Sequence, residues 1–380
     1  MMRRRILFIL ITAVVFYSCS VNRQKPESGS LSVSKAMGTA DTAGFEKAIT
    51  ERKFIFPDDN GAHPSFRTEW WYFTGNLTTQ EGKRFGYQFT IFRNAISAEK
   101  TGISSGWKSN QVYMGHFTVT DIDNNKFYYF ERFSRDGNKL AGAETSPFKV
   151  WIEDWSVTET GKGRYEFPDV RLRANDKNIS LDLKLMPKKP VVLQGENGLS
   201  RKSKDAGNAS YYYSATRIVT KGKIISEGKE YKAEGYSWMD REWSTSALSD
   251  NQKGWDWFSL QLDNNTEIMY YQLRNKDGSI DEMSKGSIIS ETGRKENLSK
   301  DEIFLKVTGE WINTEGKSYP SGWILSIPSK NTELKIAPAI KNQELEVSIK
   351  YWEGSVKIEG VYDGKQITGH GYTELTGYAD

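Results

Sequence analysis

Several carboxylic acids in this chain sit among tryptophans. Glu69 precedes Trp70-Trp71-Tyr72, Asp240 and Glu242 lie between Trp238 and Trp243, and Asp256 separates Trp255 from Trp257. A carboxyl group among indole rings is poorly solvated as an anion, so it keeps its proton to higher pH and can deliver it. Electron-rich ring faces stabilise the positive charge that such a transfer creates on carbon. Asp240 and Glu242 are two residues apart, so in an extended chain they share one side and Arg241 takes the other. Trp255 and Trp257 likewise share a side, opposite Asp256. We expect Asp240 and Glu242 to point into one cavity with Glu69 or His116 nearby. Trp70, Trp71, Tyr72, Trp238, Trp243, Trp255 and Trp257 would form its wall. Asp240 or Glu242 would be the proton donor, and His116 or Tyr72 would hold water. The competing reading makes these acids partners of Arg67, Arg132 or Arg241 that fix a junction in the fold.

Other motifs carry less. Gly102-Ile-Ser104-Ser-Gly106 has the spacing of a hydrolase nucleophile turn, but that turn needs a strand–turn–helix setting, and this one lies in a Gly/Ser loop. His63, His116 and His370 lack metal-ligand spacing, and the single cysteine excludes a disulfide framework and a cysteine zinc site. No phosphate loop or dinucleotide fingerprint is present, so neither metal nor cofactor is expected. The net charge of +3 comes from Arg3, Arg4 and Arg5. The remainder is neutral, which gives little reason to bind nucleic acid.

The elements that must position these residues read as β-strands. Phe85–Ile91, Ile179–Leu185 and Leu345–Ile349 alternate with period two, and Asp/Asn/Gly clusters such as Asp123–Asn125, Asp263–Asn265 and Asp363-Gly364 punctuate them. No long amphipathic helix follows Phe54, although a short one over Phe45–Glu51 fits the pattern. The chain also repeats. Trp70–Leu77 lies over Trp255–Leu262, and Gly222, Gly228-Lys229 and Gly235-Tyr236 lie over Gly360, Gly364-Lys365 and Gly371-Tyr372. The fold class is therefore all-β, with two related β-barrels over 54–245 and 246–380. A barrel of eight strands removes exposed edges and can enclose one apolar ligand.

Before the barrels, Arg3–Arg5 and the apolar run Ile6–Phe16 read as a secretory signal over residues 1–19, with Cys19 placed for lipidation. Residues 20–53 read as a tether. We expect an exported, lipid-anchored envelope protein on the outer-membrane or periplasmic side, meeting the membrane through its anchor.

The stretch Phe56–Leu77, which contains Glu69-Trp-Trp-Tyr-Phe-Thr-Gly-Asn-Leu77, resembles the opening motif of the carotenoid 1,2-hydratase (hydroxyneurosporene synthase), or AttH-like, family. Gly115–Asp121, Gly235–Trp243, Gly254–Leu262 and Gly371–Tyr378 extend the resemblance over nearly everything after residue 54. It implies two packed lipocalin-like domains and, for the hydratase branch, addition of water to an alkene. That branch carries histidine at the position of Arg241, where this chain departs. Two functions follow as expectations: acid-catalysed hydration of an apolar polyene or isoprenoid-like ligand, or non-catalytic carriage of such a ligand beside a transporter. A third reading, a structural lipoprotein filled by its own rings, requires that no cavity reach about 300 Å³.

Overall fold

Period-two alternation and Asx/Gly turns do build antiparallel strands throughout. The computed structural model describes residues 42–98, 110–246 and 248–379, so Cys19 and Ser104 lie outside the described residues. The first sheet has thirteen strands. From one edge its path runs Lys126–Arg135, Gln111–Asp121, Arg84–Ala95, Thr68–Thr79, Lys229–Ser244, Ala209–Ser226, Ile179–Pro187, Asp169–Asp176, Trp155–Gly161, Phe148–Ile152 and Ala141–Thr145. It curls into a nearly closed barrel filled by Trp71, Phe73, Phe89, Phe117, Trp155 and Trp243. The second sheet has ten strands and centres on Gln252–Leu262 paired with Lys365–Leu375. Phe258, Trp323 and Trp352 pack on its inner face. The molecule is thus two tandem lipocalin-like β-barrel units.

The repeat has a structural meaning. In each unit the opening strand pairs with the closing strand: Thr68–Thr79 with Lys229–Ser244, and Gln252–Leu262 with Lys365–Leu375. Leu77 faces Gly235, whereas Leu262 faces Gly369, two residues short of the matched Gly371. A shift of two keeps every side chain on its own face. The matched glycines mark places where strands crowd. A Cβ at Gly235 would lie 2.1 Å from the Asn76 carbonyl oxygen, and one at Gly371 would lie 2.4 Å from that of Ser259. Asp363 and Gly364 both take positive φ, 50° and 72°, as a two-residue hairpin turn requires.

Two expectations fail locally. Phe45–Glu51 forms no helix. It lies along the first barrel, where Glu46 N–H bonds the Ser65 carbonyl at 2.9 Å and the Tyr211 hydroxyl bonds the Thr50 carbonyl at 2.9 Å. The end of the expected tether is therefore part of the packed body, with Ala48 fully buried. Leu345–Ile349 is not one strand either. Only Glu344–Leu345 pairs, and the chain then bends into Tyr351–Tyr362.

The outer face of the first sheet packs against the second through Tyr72, Tyr212, Trp238, Trp257, Met269, Tyr271 and Tyr372. Polar clamps flank this layer. Buried Glu267 accepts from Lys189 Nζ at 2.6 Å and from Arg217 Nε at 2.5 Å, and Asn76 Nδ2 donates to the Gly371 carbonyl at 3.0 Å.

The crowding predicts a contrast measurable by urea unfolding. Gly235→Ala should cost about 2 kcal/mol by overpacking. Gly161→Ala, where an added Cβ meets nothing within 4 Å, should leave the midpoint unchanged.

Candidate functional site between the barrels

The strands Thr68–Thr79 and Lys229–Ser244 run side by side, with Glu69 opposite Trp243, Trp70 opposite Glu242, Trp71 opposite Arg241 and Tyr72 opposite Asp240. Alternation therefore sorts the aromatic–acidic motifs onto two faces.

One face turns into the first barrel and carries Glu69, Trp71, Arg241 and Trp243. Glu69 is fully buried and bonded to both Arg93 and Arg241, while the His63 backbone N–H donates to its carboxylate at 3.1 Å. Burial pushes the Glu69 carboxyl up, but the two guanidinium groups more than offset this and hold it well below the usual carboxylate range. The Arg241 guanidinium lies 4.0 Å from the Trp71 ring centre, and His63 stacks on Trp243 at 3.8 Å. Glu69, Trp71 and Trp243 thus stand apart from the cavity residues. Their side chains follow the odd positions of a strand whose even positions line it. Arg241, where this chain departs from the hydratase branch, is on this inner face too.

The other face meets the second sheet around a cavity of about 130 Å³. Trp70, Tyr72, His116, Asp240, Glu242, Trp255 and Trp257 line it, so seven of the residues singled out from sequence come together here. Trp238 lies just behind this wall, and its indole N–H donates to Asp240 Oδ1 at 2.7 Å. Asp256 points into the second unit, where Arg274 Nε donates to it at 3.0 Å and Tyr378 caps it. The volume is that of a single ring or a short branched hydrocarbon segment, and it falls below the roughly 300 Å³ of a whole-ligand pocket, as the structural-lipoprotein reading requires of this cavity.

Asp240 and Glu242 have different settings. Asp240 accepts from Ser214 Oγ at 2.5 Å and from the Tyr212 hydroxyl at 2.7 Å, and among the described residues it forms no ion pair. Burial pushes its carboxyl up to about 7 despite these donors, and neighbouring Glu242 adds to the rise. Glu242 accepts from Ser210 and pairs with Lys202 Nζ at 3.1 Å, so it is the neutralised partner of a buried cation. His116 has both ring nitrogens engaged, Nδ1 with the Tyr351 hydroxyl at 2.7 Å and Nε2 with Glu131 at 3.1 Å. Tyr72 donates to Glu353 at 2.5 Å. Neither His116 nor Tyr72 is free simply to hold water.

The sequence reading missed Lys202, Tyr212, Tyr271, Tyr351 and Glu374, all in the wall. Glu374 faces Trp257 across the ladder and accepts from the Trp255 indole N–H at 3.1 Å. Burial among these rings pushes it up to about 8. Its signal was available. If the opening strand of each repeat pairs with its closing strand, Trp257 must neighbour the Gly371–Tyr378 motif. Lys202 comes from a segment without a repeat partner, and Tyr351 lies nine residues before the matched Gly360, outside the glycines that carry the repeat.

Fold and site together define a tandem-barrel protein with an acid-bearing aromatic cavity between its two sheets. Residues 47–378 match the AttH-like family, and the chain belongs to it. The crystal structure of an AttH-like protein from Nitrosomonas europaea is similar with a TM-score of 0.77 and 32% identity, covering 88% of this chain and all of that one. Kievitone hydratase from Nectria haematococca shares the fold at a TM-score of 0.66 and 14% identity, over 88% of this chain and 96% of its own. The dehydratase asqC of Emericella nidulans is 20% identical over 274 residues, 68% of this chain and 75% of that protein.

The two faces should respond differently to neutralising an acid. Glu69→Gln leaves two buried guanidinium groups without their counter-charge and should cost about 3–5 kcal/mol. Asp240→Asn keeps a side chain of the same shape. Because the folded Asp240 carboxyl is raised, its favourable contribution is complete below the unfolded value and is lost as pH rises through about 7. Thermal melts of Asp240→Asn should therefore match wild type near pH 4 and exceed it by pH 8.

Proposed function

We propose that this chain is a hydro-lyase of the AttH-like family that adds water to, or removes it from, a carbon–carbon double bond of an apolar, isoprenoid- or polyene-like molecule. The observation that carries the reading is Asp240: a buried acid raised to about 7, with no ion pair among the described residues, in a cavity walled by Trp70, Trp255 and Trp257. A donor titrating near neutral pH combines availability of the proton with readiness to release it. Proton transfer from Asp240 to one alkene carbon would leave a cation facing the indole rings, and water would add to it. The Ser214 and Tyr212 hydroxyls can turn to serve either form of the carboxyl. Glu374, raised to about 8, stays mostly neutral at pH 7 and is the second acid of the site. The hydratase and dehydratase names of two relatives support this reaction class. Arg241, where the hydratase branch carries histidine, faces away from the cavity and does not line it.

The cavity holds one ring or one branched segment, so only the reacting end of a long substrate would enter. A whole carotenoid would leave most of its length outside. We also propose export and anchoring through Cys19, on the strength of Arg3–Arg5 and Ile6–Phe16.

Incubation with prenylated, terpenoid and polyene alkenes in ¹⁸O-water tests the reading by mass spectrometry. The expected product gains one labelled water, and Asp240→Asn lowers kcat about 10²–10⁴-fold without lowering the melting temperature. Stoichiometric binding without turnover would replace this reading with that of a carrier. Glu374→Gln with a smaller loss than Asp240→Asn would confirm which acid is the donor.

A further inference from the structure

Three side chains outside the acid pair form a line from the cavity to the rim of the interface. Tyr351 and His116 both line the cavity, one from each sheet. The Tyr351 hydroxyl lies 2.7 Å from His116 Nδ1. On the other side of the imidazole, Nε2 lies 3.1 Å from Glu131 Oε1. Glu131 also accepts from Ser348 Oγ at 2.5 Å and from the Ser348 backbone N–H at 3.3 Å. His116 is 1% exposed, whereas the Glu131 side chain is 17% exposed, so the line passes from the buried cavity wall to a partly exposed carboxylate.

The order is hydroxyl, imidazole, carboxylate, the arrangement in which a carboxylate fixes the imidazole tautomer and the imidazole takes a proton from a hydroxyl. With Nε2–H donating to Glu131, Nδ1 is left as the acceptor, and Tyr351 must be the donor. The bend at 346–350 is what brings the pieces together, since it sets Ser348 against Glu131 and Ile349 and Tyr351 on the cavity wall. Tyr351 is also faced by Glu353 from its own strand, by Tyr372 and Glu374 from the neighbouring one, and by Glu131 across the interface. Among the described residues no lysine or arginine pairs with Glu131, so its charge is directed at His116.

We propose that Tyr351, His116 and Glu131 are a proton relay, with Tyr351 as the group that accepts the proton of the attacking water. The proposal rests on the hydro-lyase reading above. Asp240 gives its proton to one alkene carbon, and the π electrons form that C–H bond. Water oxygen bonds the other carbon, and one of its protons passes to the Tyr351 oxygen. The Tyr351 proton passes at the same time to His116 Nδ1, and the imidazolium faces the Glu131 carboxylate. His116 then loses a proton to solvent past Glu131, and Asp240 regains one, so alkene and water become alcohol with nothing else consumed. Run backwards, the same path dehydrates an alcohol.

With only three histidines in the chain, ¹⁵N-imidazole NMR of the full protein reads the relay without any substrate. The relay expects His116 with its proton on Nε2, towards Glu131, and with Nδ1 accepting from Tyr351. Tyr351→Phe should move the Nδ1 resonance towards its unbonded position, and Glu131→Gln should weaken the Nε2–H bond. A His116 protonated at Nδ1, or charged at both nitrogens, overturns the relay. On an alkene that the wild type hydrates, Tyr351→Phe should lower kcat at least about 10²-fold with KM little changed, and Glu131→Gln less. Unchanged kcat in Tyr351→Phe overturns it as well. If no alkene is hydrated at all, the hydro-lyase reading fails while the NMR result still decides the relay.

Discussion

A carboxylate cannot sit in a barrel core without counter-charge, and Glu69 is where this fold meets that constraint. Its bonds to Arg93 and Arg241 tie Thr68–Thr79 to the strands on both sides, Arg84–Ala95 and Lys229–Ser244. His63 closes the cluster from the preceding loop, and Trp71 and Trp243 pack against its cation and ring. With these positions committed to the inside, the residues between them must face out. Trp70, Tyr72, Asp240 and Glu242 form the wall of the cavity because Glu69, Trp71, Arg241 and Trp243 form the core beneath it. The ion cluster and the acid site are two sides of one strand pair.

The second unit completes what the first exposes. It covers the outward acids with Trp255, Trp257 and Tyr271, which removes water and raises Asp240 and Glu374 together. It also supplies Tyr351 to His116, so neither barrel holds the whole site. Clamps such as Lys189 and Arg217 on Glu267 keep the sheets in register at some distance from the chemistry. Such a division explains why the barrels are filled with rings while the cavity lies between them.

Much of this was legible in the residues. The repeat of Trp70–Leu77 at Trp255–Leu262 marks the two opening strands, and alternation alone puts Asp240 and Glu242 together and Arg241 opposite. Periodicity does not say which face of a strand is core. Sequence alone therefore groups Glu69 and Trp71 with Trp70 and Tyr72, although the burial of Glu69 depends on Arg93, which pairs with it only across a ladder. Glu374, Lys202 and Tyr351 join the site through contacts between sheets. The bend after Leu345 was masked by residues that alternate well enough to read as one strand. The tie between Phe45–Glu51 and the barrel rests on hydrogen bonds to that segment's backbone groups, which its own side-chain pattern does not encode.

Catalysis by Asp240 requires that the cavity keep it a proton donor at neutral pH. Following the side-chain carboxyl carbons of aspartate by ¹³C NMR from pH 4 to pH 9, with Asp240→Asn for assignment, tests it most directly. One aspartate should ionise near pH 7 and vanish from the variant's spectrum. An Asp240 already ionised at pH 5 would contradict it, since a site whose acid is anionic throughout has no proton to give.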